Sequence, residues 1–170
     1  MSALHEILAD YGPAIGLIGV SATLGINGHR EERRRRRDNH ARAIAAVVAY
    51  GEMPFRIRRR RAETEHRSGE RSRLSDAFSD IQAELASCEA LIRADPDLEV
   101  RDAYEQLVTI LRATAGKLAS EAWNTAPIND DTAMGLPELF DRLAPVRDKQ
   151  QQCEAVMASS TRPWSLSTST

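Results

Sequence analysis

The chain has 170 residues, a normal single-domain length with material for one core, and its net charge is only −2. That balance hides an asymmetry: residues 30–73 hold fifteen Arg against seven acids, a net of +8, and residues 74–170 hold eight basic residues against sixteen acids, a net of −8. Such a split excludes a uniformly basic nucleic-acid coat or a uniformly acidic solvating chain, and sets basic and acidic halves apart. Arginine outnumbers lysine 21 to 2, which reads as the codon bias of a high-GC genome rather than as site chemistry.

From Tyr11 to Gly28 the sequence runs eighteen residues without a charge, between Glu6 and Asp10 on one side and Arg30-Glu-Glu-Arg33-Arg-Arg-Arg-Arg37 on the other. As a helix this run spans about 27 Å at ~1.5 Å per residue, near the thickness of a bilayer's hydrocarbon core. Tyr11, Ile15, Leu17, Ile18, Val20, Leu24 and Ile26 supply its apolar surface. Arg33, Arg34, Arg35, Arg36 and Arg37 then read as a collar held on the cytoplasmic side. Their contact with an anionic inner leaflet is worth about 1 kcal/mol per residue close to the surface. Five glycines, Pro13 and Asn27 make the span marginal. The competing reading is a soluble helix buried in a core or a dimer interface. A cleaved secretory signal needs positive charge before the apolar stretch, and here the order is reversed. Gly12 with Gly16, and Ser21 with Gly25, repeat a small-residue spacing that lets two helices approach closely. That spacing points to self-association through the anchor.

Beyond Arg30 the pattern is helical. Ala41 to Ala49 is alanine-rich and continues one helix until Gly51-Glu-Met-Pro54 breaks it. A second helix is predicted from Phe55 to Ala94. Within it Leu74, Phe78, Ile81, Leu85, Cys88 and Ile92 alternate steps of four and three, the seam of a helix packed on a neighbour. Asp95-Pro-Asp97 ends it, with Asp97 placed to cap the next helix, whose inner side is Val100, Tyr104, Leu107, Leu111, Leu118 and Ala122. Residues 123–136 read as a long loop. Pro137 opens a fourth helix with the stripe Leu139, Leu143, Val146, Cys153 and Met157. The hydroxyl-rich stretch 159–170 reads as a disordered tail.

The fold class is therefore all-α: an N-terminal single transmembrane helix, then a cytoplasmic helical hairpin and small antiparallel helical bundle. Its divisions are 1–29, anchor; 30–73, basic juxtamembrane helices; 74–158, acidic bundle; and 159–170, tail.

Chemistry-bearing patterns are sparse. Cys88 and Cys153 fall on seam positions at no metal spacing and read as reduced structural thiols. Glu63-Thr-Glu-His66 is one Glu-x-x-His unit, where a di-iron bundle needs two and further carboxylates. No phosphate-cradling glycine loop, nucleophile elbow or zinc-protease motif occurs. No catalytic residue, cofactor or metal is expected, and the chain reads as a non-enzyme. Arg33–Arg37 with Arg58, Arg59, Arg60 and Arg61 could contact phosphate, whether of a lipid headgroup or a nucleic acid. Glu31, Glu32, Asp38, Glu63 and Glu65 dilute that potential, and Phe55 is the only aromatic side chain near the second cluster. Single strands need a stacking platform, so these features argue against nucleic acid.

The succession of a short glycine-rich span, His29-Arg-Glu-Glu-Arg-Arg-Arg-Arg-Arg37, an alanine-rich helix ending at Tyr50, a second arginine cluster and acidic helices resembles a known layout. It is that of uncharacterised single-pass proteins of high-GC Gram-positive bacteria and their phages. The resemblance implies an inner-membrane location, N-terminus outside and body cytoplasmic, and a mobile-element origin. The reading is a membrane-tethered, non-enzymatic interaction or scaffold protein with an unidentified protein partner. The alternative is a soluble helical protein whose arginine clusters bind nucleic acid.

Overall fold

A computed structural model describes residues 28–60, 67–128 and 135–162. Every regular element among them is helical. Helix α1 covers residues 28–51, followed by α2 (Met53–Arg58), α3 (Arg67–Arg93) and α4 (Leu98–Leu111). A π-helical turn, Arg112–Gly116, joins α4 to α5 (Lys117–Asn124), and α6 (Pro137–Arg142) and α7 (Ala144–Ser160) close the order. The chain divides into two units, Met1–Arg37 and Asp38–Thr170.

No helix among the described residues is long and apolar enough to cross a membrane. The predicted span 11–28 lies outside them except for Gly28, and so do Arg61, Glu63, His66 and residues 163–170.

In the second unit, residues at helical spacing meet in one main core. Ala43, Ala46, Val47 and Tyr50 of α1 join Leu85, Cys88 and Ile92 of α3, Val100, Tyr104, Leu107 and Leu111 of α4, and Val146, Cys153 and Met157 of α7. α4 packs chiefly on α7, and α2 on α5. A smaller cluster, Met53 and Ile57 against Ala119 and Ala122, joins α2 to α5. Phe78 and Ile81 of α3 border both clusters. The heptad of α3 is thus the shared wall, as its sequence spacing predicts.

Several local features follow from the residues that make them. Pro54 occupies the first turn of α2, where its missing N–H costs nothing, and so the chain turns at Glu52 and continues helically. Asp97 caps α4 by accepting a hydrogen bond from the Glu99 N–H at 3.0 Å.

Two expectations need correction. The single helix predicted from Phe55 to Ala94 is divided, since α2 ends at Arg58 and α3 begins at Arg67. The predicted fourth helix is also two, α6 and α7, because Pro145 in the first turn of α7 prevents the α6 ladder from passing Leu143. Leu143 and Val146 remain buried on either side of that corner, so the apolar stripe survives the break. Leu136, just before α6, has φ 46° and is buried. Burial of its side chain offsets the ~1–2 kcal/mol that a left-handed backbone costs a residue with a Cβ.

Candidate functional site: two arginine clusters

The first cluster lies in the first unit, on α1. Arg30, Arg34, Arg35 and Arg37 are exposed and Arg33 and Arg36 are half-buried. The Arg33 Nε donates to the His29 carbonyl at 3.3 Å, an interaction within the same turn. At about 100° per residue, Arg30, Arg33, Arg34 and Arg37 share one face of this helix. Glu32 falls on the other side, beside Arg35 and Arg36, while Glu31 and Asp38 border the arginine face at i−3 and i+4 from Arg34. The acids are therefore only partly sorted from these four arginines, with Glu32 opposite them and Glu31 and Asp38 at their edge. The four arginines form a cationic strip with acids along one edge, a field that draws an anionic surface.

The second cluster is in the second unit and is used differently. The Arg60 guanidinium donates to the carbonyls of Ile57 at 2.8 Å, Ala122 at 2.9 Å and Thr125 at 2.6 Å. These include carbonyls at the C-terminal end of α5, which have no partner within their own helix. The Arg58 guanidinium donates to the Ala126 carbonyl, and its backbone carbonyl accepts from the Ile128 N–H at 3.1 Å. Arg58 and Arg60 thus fasten the segment after α5 to the end of α2. Arg59 is exposed and lies 5.6 Å from the Phe55 ring centroid.

Trp123 was out of reach of any sequence argument about this cluster. It stands 63 residues from Arg60, yet the Arg60 guanidinium lies 5.6 Å from its ring centroid and that of Arg71 lies 5.9 Å away. Burial, and then the charges of Arg58, Arg71 and Arg67, push the Arg60 guanidinium below its usual range. The second cluster therefore has, besides its sequence neighbour Phe55, an aromatic partner supplied by α5.

Elsewhere arginines join elements. Arg42 of α1 holds Glu84 of α3 through two bonds of 2.6 and 2.9 Å, and Arg142 of α6 holds Glu121 of α5 at 2.7 Å. One buried polar pair was missed in the sequence. The Nε2 atom of His40 lies 2.9 Å from the Asp95 carboxylate, with side chains only 6% and 5% exposed. Asp95 also accepts from the Asp97 N–H at 2.9 Å. The signal was the spacing of His40, Ala43, Val47 and Tyr50, which puts the histidine on the core face of α1. Cys88 and Cys153 are free, buried thiols. Burial pushes both above the usual range, Cys153 to about 11, so they stay protonated at neutral pH. Among the described residues no group of three or more metal-ligating side chains converges.

Comparison with family models, curated proteins and solved structures gives no match to this chain.

Proposed function

We propose that this protein is a membrane-tethered, non-enzymatic helical interaction protein of the inner leaflet. Residues 11–28 serve as the anchor and the bundle after Asp38 serves as the adapter toward a protein partner. The observation that carries this reading is the arginine face of α1, Arg30, Arg33, Arg34 and Arg37, following closely on an uncharged run of eighteen residues. A cationic face beside an apolar run is the arrangement that anionic headgroups favour.

Leu17→Arg tests the anchor. Arginine near the centre of a span costs about 2.5–3.5 kcal/mol on insertion scales. The variant is expected to leave the membrane pellet after a high-salt wash while the unaltered chain stays. Equal retention of both would show that residues 11–28 do not insert.

The same arginine face also suits a polyphosphate backbone, and this favours nucleic acid as the second reading. Loss of sedimentation after nuclease treatment, with lipid left intact, is the result that selects it.

A further inference from the structure

The first turns of α3 present an uncommon face. Arg67, Ser68, Arg71, Ser72 and Ser75 line a groove of about 750 Å³ that ends on Phe78 and Trp123. Ser68, Arg71, Ser72 and Ser75 recur at helical spacing, so one side of α3 carries guanidinium and hydroxyl groups where the following turns carry the apolar seam. A groove of this size falls within the roughly 300–1,000 Å³ of small-molecule sites.

Guanidinium groups gather in this region. Arg58, Arg67 and Arg71 all act on Arg60 in the same sense, against its ionised form. The nearby Glu70 is bound through both oxygens to Arg73, at 2.9 Å each. An anion in the groove relieves that repulsion and gains charge-assisted hydrogen bonds from guanidinium and hydroxyl donors. At the far end, the half-buried Trp123 and Phe78 offer ring surface, and the Arg71 guanidinium already stacks near the indole. Planar bases are held on such aromatic and guanidinium planes.

We propose that this groove binds a nucleoside phosphate, its phosphates on Arg67, Arg71 and the Ser68, Ser72 and Ser75 hydroxyls and its base against Trp123 and Phe78. None of the groove's residues belongs to α1. The site gives the adapter a small-molecule input on the face of α3.

Calorimetric titration of the full chain in nonionic detergent, with ATP, inorganic tripolyphosphate and adenosine as separate probes, tests it. Saturable ATP binding is expected, tighter than that of tripolyphosphate, with adenosine weaker than ATP. Arg67→Gln/Arg71→Gln is expected to weaken ATP binding at least about tenfold, the loss typical of charge-assisted hydrogen bonds. Ser72→Glu, which adds a carboxylate on the exposed lining, does the same and supplies a second variant should the first lose helicity. Absence of saturable ATP binding overturns the proposal. So does tripolyphosphate binding as tightly as ATP, or a folded variant of either kind that binds ATP as the unaltered chain does.

Discussion

His40 shows most clearly how one side chain fixes several elements. On the core face of α1, it reaches Asp95 in the corner between α3 and α4, and Asp95 in turn receives the Asp97 N–H. Truncating one partner of a buried polar pair leaves the other desolvated, which costs far more than the pair itself contributes. His40→Ala is expected to lower stability by about 2–4 kcal/mol, read as a shift in the urea midpoint at unchanged slope. Exposed pairs behave differently. The hydrogen bond from Arg42 holds the Glu84 carboxyl below its usual range, and the bond from Arg142 does the same for Glu121. A depressed folded value means that each pair contributes above the unfolded carboxylate pKa, about 4.3, and loses that contribution as pH falls through the folded value. Melting curves taken from neutral to acid pH should therefore show a loss on acidification that shrinks in Arg42→Gln and Arg142→Gln. Added salt should shrink it too, because both pairs are exposed to solvent.

At the scale of elements, the long run from Leu98 to Asn124 depends on its π turn. Gly116 ends that turn, and a Cβ placed on it would stand 3.2 Å from the Tyr50 hydroxyl of α1. Alanine is favoured over glycine in a helix by about 1 kcal/mol, but here the gain competes with a tight contact. Gly116→Ala is expected to yield less than this gain alone and to recover it in a Tyr50→Phe background. A double-mutant cycle checks the coupling, and strict additivity would contradict it. Much of this level is legible in the sequence. The seam of α3, the cap at Asp97 and the inner side of α4 and α5 follow from spacing and side-chain chemistry, because local rules decide them. The division at Leu143 was also within reach, since Pro145 states it, but the stripe Leu139, Leu143, Val146 runs on past the corner and conceals it. The pairing of His40 with Asp95 and of Trp123 with Arg60 and Arg71 was not legible. Those partners are set by how helices pack, and no short-range pattern encodes them.

At the scale of the whole molecule, charge is divided by role. Arg30, Arg33, Arg34 and Arg37 share one face of α1, whereas Arg58 and Arg60 bind backbone carbonyls of α5 and the segment after it. Sequence position alone treats the two clusters as equivalent, because both are arginine runs diluted by acids. Hydrogen bonding separates them: Arg58 and Arg60 bind carbonyls of α5 and the segment after it, whereas Arg33 donates to the His29 carbonyl of its own helix. That division supports a tether before Asp38 and an adapter after it. The most direct test of the tether is fractionation of the unaltered protein from cells, with carbonate and high-salt washes of the membrane pellet. A tethered protein stays in the pellet through both washes. Release by salt, or recovery in the soluble fraction from the start, would contradict the tether.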